Sequence, residues 1–581
     1  MIRTFLLRPR PSDAGTNVRG VAVALSLLCA GAFACGGASG PKVAAPNAAA
    51  TTAERRPYKL VVSIVVDQLS AWEMRARLPL LPATGGFARL AKEGVYYTSV
   101  LYPHLTTDTA PGHAALYTGV PSGKSGVYAN EAVLPSGATG SIYRDEAVHV
   151  VGNTTADTSS SAKRLRVPTV ADLFRKAHPD SKIVSLSLKD RGAIPGGGAK
   201  PTLSLWFDVK SARMVTSTAF AQALPPWLDG GKNAIDRELY GQPWTMANEE
   251  WVKTHAVTKD GAPGEGNMAG LGTTFPHPVT SGEHFGLAFR TTPAADAYLL
   301  SLARDAIDHE RLGEGPSFLA ISLSTHDYIG HVFGPDAWEA WDELYRLDAE
   351  LGKFLAFLDA RFGSENYAVM LSADHGITSL PELRITRTAE VSCSDDASCD
   401  ALRTEASTTR LYPEELRDSL ETALHTVLAT EEKLVLGLAE PYVVLTPKGK
   451  SMVAVPQNDV LVDRALAQWR LAHKDQASLE PVARTLAACA LTNMNGQADW
   501  AALCATLDSA GGDFFLRTHG GAIVETGYVP GFGTNHGTDS FFDREVPIFA
   551  RAPKSWDGGK KSAKTQPISI FARDLKTLLG L

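Results

Sequence analysis

The chain has 581 residues, of which 44% are hydrophobic and 20% charged. This excludes a disordered polymer and leaves room for one large α/β domain with insertions, or for several smaller domains. The net charge of −7 offers no basic surface to a nucleic acid polymer, so an anionic substrate would have to be drawn by local charge such as metals or a few Lys and Arg.

The first 35 residues are expected to be a leader. Arg3, Arg8, Arg10 and Arg19 surround and precede a short apolar run at 21–34 that ends in small residues. A membrane span needs ~20 apolar residues, so this run predicts an export signal. Cys35 follows Ala34, and either plain cleavage or lipid attachment at Cys35 is expected there, the latter anchoring the protein to a membrane. Both place it in the periplasm or on the cell surface. Residues 36–57 are a low-complexity tether. Of the six Cys, Cys29 and Cys35 lie in the leader, which leaves Cys393, Cys399, Cys489 and Cys504. Two disulfides are expected in an exported chain, with 393–399 and 489–504 the local pairing among the possibilities. The protein is expected to be a monomer.

Short apolar runs at 59–66, 182–188, 317–323, 367–371 and 546–550 predict buried parallel strands. Helical spacing at 168–177 and 337–362 falls between them. The alternation predicts an α/β fold: a doubly wound, mostly parallel sheet flanked by helices. Residues 192–290, rich in Gly, Pro and Trp, and residues 385–520, which hold the four remaining Cys, fit the rhythm poorly. Both are expected to be insertions capping the active edge of a catalytic domain that runs over 58–581.

The chemistry gathers where strands end. The first run leads into Asp67, the second into Lys189 and Arg191, the third into Asp327 and His331, and the fourth into Asp374 and His375. Open α/β sheets bind ligands at the carboxyl ends of their strands, so these side chains should share one rim. His536, in a Gly-rich loop before the last run, adds a third imidazole. Asp and His together suit zinc or a similar borderline metal. Three carboxylates and three imidazoles suffice for two metals, which about 4 Å apart can clamp an in-line phosphoryl transfer. Thr109 stands just before Pro111 at the expected start of a helix, where N–H groups and the helix dipole favour phosphate. A metal beside it would activate the hydroxyl as a nucleophile.

The set Asp67, Thr109 in TAPGH, Asp327 and His331 in HDYIGHVFGP, Asp374 and His375 in SADHG, and His536 in GTNHGT resembles the alkaline phosphatase superfamily. Within it the chain is similar to the type I phosphodiesterase/nucleotide pyrophosphatase branch and its phosphate-irrepressible bacterial alkaline phosphatases, over about 58–581 in the same order. The resemblance implies two zinc ions per chain. One would be held by Asp67, Asp374, His375 and Thr109, the other by Asp327, His331 and His536. It also implies phosphate contacts from Asn130, Lys189 and Arg191, a phosphothreonine intermediate, and small-molecule phosphate monoesters as substrates. A nucleotide phosphodiesterase of the same fold is the alternative, and the Lys189–Arg191 pair speaks against it. A sulfatase would need Cys or Ser in place of Thr109. A catalytically dead phosphate-binding protein would not need every ligand and the nucleophile. His113, His326 and His519 are expected to be structural, not ligands.

Overall fold

The computed structural model describes residues 57–153, 157–384, 409–491, 498–519, 521–525 and 527–581. The expected leader, Cys35, the expected tether up to residue 56 and the expected 393–399 disulfide lie outside them.

At the centre is a twelve-stranded sheet. Five neighbouring strands are parallel, in the order Tyr367–Ser372, Leu60–Val66, Ser317–Leu323, Lys182–Ser187 and Leu203–Asp208. The Leu60–Val66, Ser317–Leu323 and Tyr367–Ser372 strands are buried along their whole length. Burial on both faces is why they read as unbroken apolar runs and not as alternating ones. One group of helices, including Gly86–Glu93, Ala294–His309 and Trp338–Phe362, packs together against the sheet. Thr109–Thr118, Asp190–Gly197, Val170–Ala177 and Ser569–Leu579 form a second group.

The last expected strand, Glu545–Arg551, is antiparallel to Tyr367–Ser372, not parallel as the sequence suggested. Its start follows the His536 loop. That loop sits at the carboxyl ends of the parallel strands, so the chain can only leave the rim by running backwards. Val95–Leu101 pairs antiparallel beyond it.

The two segments expected as caps behave differently. Residues 203–217 are sheet, with Leu203–Asp208 and Arg213–Ser217 extending the central sheet. Further along the first segment, Trp244, Met268 and Leu271 pack with Ile329, Val332 and Phe333 of the Thr325–Phe333 helix. The second segment builds a four-stranded antiparallel sheet from Val435–Ala439, Tyr442–Leu445, Phe514–Thr518 and Ala477–Pro481. Leu416, Leu420, Trp469 and Phe514 give it a core of its own. Cys489 and Cys504 form a disulfide with a Cα–Cα separation of 5.8 Å, joining the helices Val482–Leu491 and Ala498–Thr506.

Candidate active site

Thr109 is the first residue of the helix Thr109–Thr118, with Asp108 as its N-cap. Pro111 falls in the first turn, where a missing N–H costs nothing. Small residues let this helix sink into the fold. A Cβ on Gly112 would lie 2.2 Å from the main-chain oxygen of Asp374, so only Gly permits this approach. The helix therefore pins the nucleophile candidate against the strand end that bears Asp374 and His375. His113, one turn on, places Nδ1 2.9 Å from the Thr109 carbonyl and 3.0 Å from Asp374 Oδ2, with Nε2 2.9 Å from Ser322 Oγ. It holds the site together from behind.

The Thr325–Phe333 helix puts Asp327 and His331 one turn apart on the same face, with His331 Nε2 3.2 Å from Asp327 Oδ1. Main-chain N–H groups of Ser324 and Thr325 donate to the buried Asp296 carboxylate, fixing the start of this helix. Asp67 directly follows the Leu60–Val66 strand. Asp374, His375 and Gly376 follow the Tyr367–Ser372 strand, and a Cβ on Gly376 would strike the Phe542 carbonyl at 2.1 Å.

Two donor groups result. Asp327, His331 and His536 each bring a ligand atom within 4.8 Å of the others, and so do Asp67, Asp327 and His375. They adjoin, because the His375 and His536 rings stack at 3.6 Å. Asp374 lies beside the second group but turns one oxygen towards His113. Its other oxygen accepts from the main-chain N–H groups of Gln68 and His375, each at 3.1 Å.

The tautomers test whether a metal fits. Nδ1 of His331, His375 and His536 lies 3.0, 3.0 and 2.8 Å from the carbonyls of Thr534, Gly376 and Thr107. A carbonyl only accepts, so each Nδ1 carries a hydrogen and each Nε2 is turned inward, the orientation that metal-binding histidines adopt once Nε2 is free of its proton. Those Nε2 atoms face carboxylate oxygens: Asp327 Oδ1 at 3.2 Å from His331 and 3.4 Å from His536, and Asp67 Oδ1 at 3.3 Å from His375. Two tetrahedral zinc ligands at ~2.05 Å stand ~3.3 Å apart. Asp67 Oδ1, Asp374 Oδ2 and His375 Nε2 are wholly buried, and their polar neighbours are one another and His113, none in good hydrogen-bond geometry. The residues fit the group.

Electrostatics point the same way. Burial opposes ionisation of Asp327, yet Lys189 and His331 hold its carboxyl well below the usual range. Burial pulls the His331 imidazole down in spite of Asp327 beside it, which keeps its lone pair free. Burial also disfavours charge on His536, but bonds to Asp108 and Asp327 hold it well above the histidine range. A cation at that side would have to displace this proton, so binding releases it.

Lys189 completes the centre. Its ammonium, buried, lies 3.2 Å from Thr109 Oγ1, 2.6 Å from Asp67 Oδ2 and 2.5 Å from Asp327 Oδ2. Asn130 Oδ1 accepts from the main-chain N–H of Ala110 at 2.8 Å, which leaves its NH₂ for another partner. Asn130, Lys189 and Arg191 line one cavity of about 410 Å³ together with Thr109, Asp327, His331 and His536. All ten residues singled out in the sequence thus meet at or beside this rim. His326 is engaged elsewhere, 2.6 Å from Glu343, and His519 bonds Ser478 in the second insertion.

Other wall residues carried no sequence signal. Leu438, Ala439 and Glu440 come from the second insertion, and Tyr528 and Asn535 from the loop before His536. Gln68 is also unforeseen. It is fully buried, with a left-handed φ of 74°, and donates from Nε2 to Asp327 Oδ1 at 2.9 Å.

Fold and rim together define an α/β protein with a pocket of acids and imidazoles, arranged as metal ligands could be, beside a helix-borne hydroxyl. The chain belongs to the type I phosphodiesterase / nucleotide pyrophosphatase family, whose model matches residues 61–463. It is 35% identical over 330 residues to alkaline phosphatase PhoV of Synechococcus elongatus, a match covering 56% of this chain and 60% of that protein. It is 34% identical over 337 residues to alkaline phosphatase PafA of Elizabethkingia meningoseptica, covering 56% and 61% respectively. The chain thus spans about three fifths of the curated relatives it matches. A crystal structure of alkaline phosphatase PafA shares the fold, with a TM-score of 0.76 and 23% identity over 90% of this chain and 96% of that one.

Proposed function

We propose that this protein is an exported, metal-dependent phosphomonoesterase that passes the phosphoryl group of a small ester to Thr109 and then to water. The observation that carries the reading is the pair of cations at the nucleophile: Lys189 Nζ stands 3.2 Å from Thr109 Oγ1, and Arg191 lines the same cavity. A monoester dianion has three free oxygens and two charges. Arg can grip two oxygens and Lys supplies a point charge. A diester carries one charge and a second substituent, and gains less from such a clamp. The alkaline phosphatase relatives support the same choice.

Asp67, Asp374 and His375 with Thr109, and Asp327, His331 and His536, would hold two zinc ions, whose Lewis acidity lowers the pKa of a bound hydroxyl and offsets charge on a phosphoryl group. The protein's own groups do the rest. Thr109 Oγ1 gives its proton to solvent and attacks phosphorus, and the ester P–O bond breaks as the leaving oxygen takes a proton from solvent and departs as the alcohol. Water then attacks the phosphothreonine, breaks the P–O bond to Thr109, and restores the hydroxyl as phosphate departs. The helix start favours the added negative charge. The Asn130 NH₂ is free to donate to a phosphoryl oxygen, and Lys189 and Arg191 orient the other oxygens.

The test is a paired assay of metal-stripped and zinc-reconstituted protein on p-nitrophenyl phosphate and bis-p-nitrophenyl phosphate. Stripped protein should be inactive. Reconstituted protein should favour the monoester in kcat/KM by at least ~100-fold. A preference for the diester would instead assign the protein to nucleotide phosphodiester chemistry.

A further inference from the structure

We infer that Gln68 is a positioning residue that couples the two halves of the metal pocket and sets zinc affinity at the Asp327–His331–His536 side. This rests on the two-metal reading above.

Gln68 reaches one carboxylate on each side. Its side-chain Nε2 donates to Asp327 Oδ1 at 2.9 Å, and its main-chain N–H donates to Asp374 Oδ1 at 3.1 Å. Asp327 Oδ1 is the same oxygen that His331 and His536 face through Nε2. A donor on that oxygen fixes the carboxylate plane and draws off part of its charge, so its direction and its strength as a ligand depend on the amide. The backbone is bent to make this possible. At φ 74° the residue occupies the left-handed region, where a side chain other than Gly, Asn or Asp is costly. The facing helix has also made room. A Cβ on Gly330 would lie 1.8 Å from Gln68 Oε1, so any larger residue at 330 would push the amide out of this position. Gln68 Oε1 has no hydrogen-bond partner among the described residues, although the side chain is wholly buried. A strained backbone, an orphaned amide oxygen and a cleared helix face are all costs to stability. The bond to Asp327 is what they have in common. A residue kept only for the turn would be Gly.

Two substitutions separate this role from a structural one. Gln68→Gly relieves the left-handed backbone and keeps the main-chain bond to Asp374. Gln68→Asn also tolerates that backbone but is one methylene too short to reach Asp327. Zinc affinity is read by chelator competition on each purified protein, thermal stability is read on the metal-free forms, and p-nitrophenyl phosphate turnover is followed alongside. Both variants should match or exceed the metal-free Tm of the parent. One of the two zinc equivalents should bind about 10–100-fold more weakly while the other is unchanged, the size expected of a group bonded to a metal ligand. Parental affinity for both zinc equivalents, or equal weakening of both together with a lower metal-free Tm, would overturn the inference. Failure of the parent itself to bind two zinc ions would instead refute the two-metal reading, and with it this role for Gln68.

Discussion

Replacing Arg191 by Ala is expected to lower kcat/KM for a phosphate monoester by about 10²–10³-fold, the usual cost of losing one oriented donor to a charged transition state. On a diester the loss should stay below about tenfold, because the second substituent already displaces one of the oxygens that the guanidinium would grip. The structure makes this a clean experiment. Arg191 lines the cavity, and its Nε is buried without a hydrogen-bond partner among the described residues. Burial disfavours its charge, but Tyr528, Tyr328, Asp190 and Asp67 nearby hold the guanidinium firmly protonated. Its removal strands no partnered acid, so the melting temperature should scarcely move. Equal losses on both substrates would mean that Arg191 supports the pocket and does not discriminate between esters.

Thr109→Ala carries the largest expected effect, a fall in turnover of about 10⁴-fold or more, as when a nucleophile is deleted. Among the described residues the Thr109 hydroxyl is bonded by Lys189 alone, at 3.2 Å, and Lys189 keeps its two carboxylate partners without it. Fold and zinc content at the Asp327–His331–His536 side should therefore survive. Thr109→Ser keeps a hydroxyl and should keep measurable turnover. Substantial activity in Thr109→Ala, measured against enzyme carrying the same zinc content, would exclude a phosphothreonine route.

Much of this site was legible in the sequence because it hangs on strand ends. An apolar run followed by Asp67, or by Asp374 and His375, states both the element and the edge at which the side chain emerges. Asp327 and His331 declare themselves by helical spacing. The remainder depended on contacts between distant parts of the chain. The direction of Glu545–Arg551 follows from where the His536 loop is anchored, which no local pattern encodes. The strand Leu203–Asp208 was hidden because Gly- and Pro-rich sequence just before it reads as loop, although its own residues are almost all buried. The cavity wall at Leu438–Glu440 comes from an insertion whose strands pair with one another and not with the central sheet. Gln68 carries no signal in the sequence because an amide is not a metal ligand. Only its backbone angle, the Gly330 facing it and the Asp327 oxygen within reach reveal its place.

Lys189 ties the proposed metal sites to the proposed substrate clamp. Its ammonium now neutralises Asp67 and Asp327, the same carboxylates that the zinc ions would engage. On this reading the clamp and the metal pocket form one electrostatic unit, and the positions of the ions test both.

Anomalous diffraction at the zinc edge, from crystals grown with zinc, does this most directly. Two peaks are predicted, one ringed by Asp327, His331 and His536 and the other by Asp67, Asp374, His375 and the Thr109 hydroxyl. A single peak, or zinc bound away from these side chains while the protein turns over monoesters, would contradict the two-metal pocket on which the proposed chemistry stands.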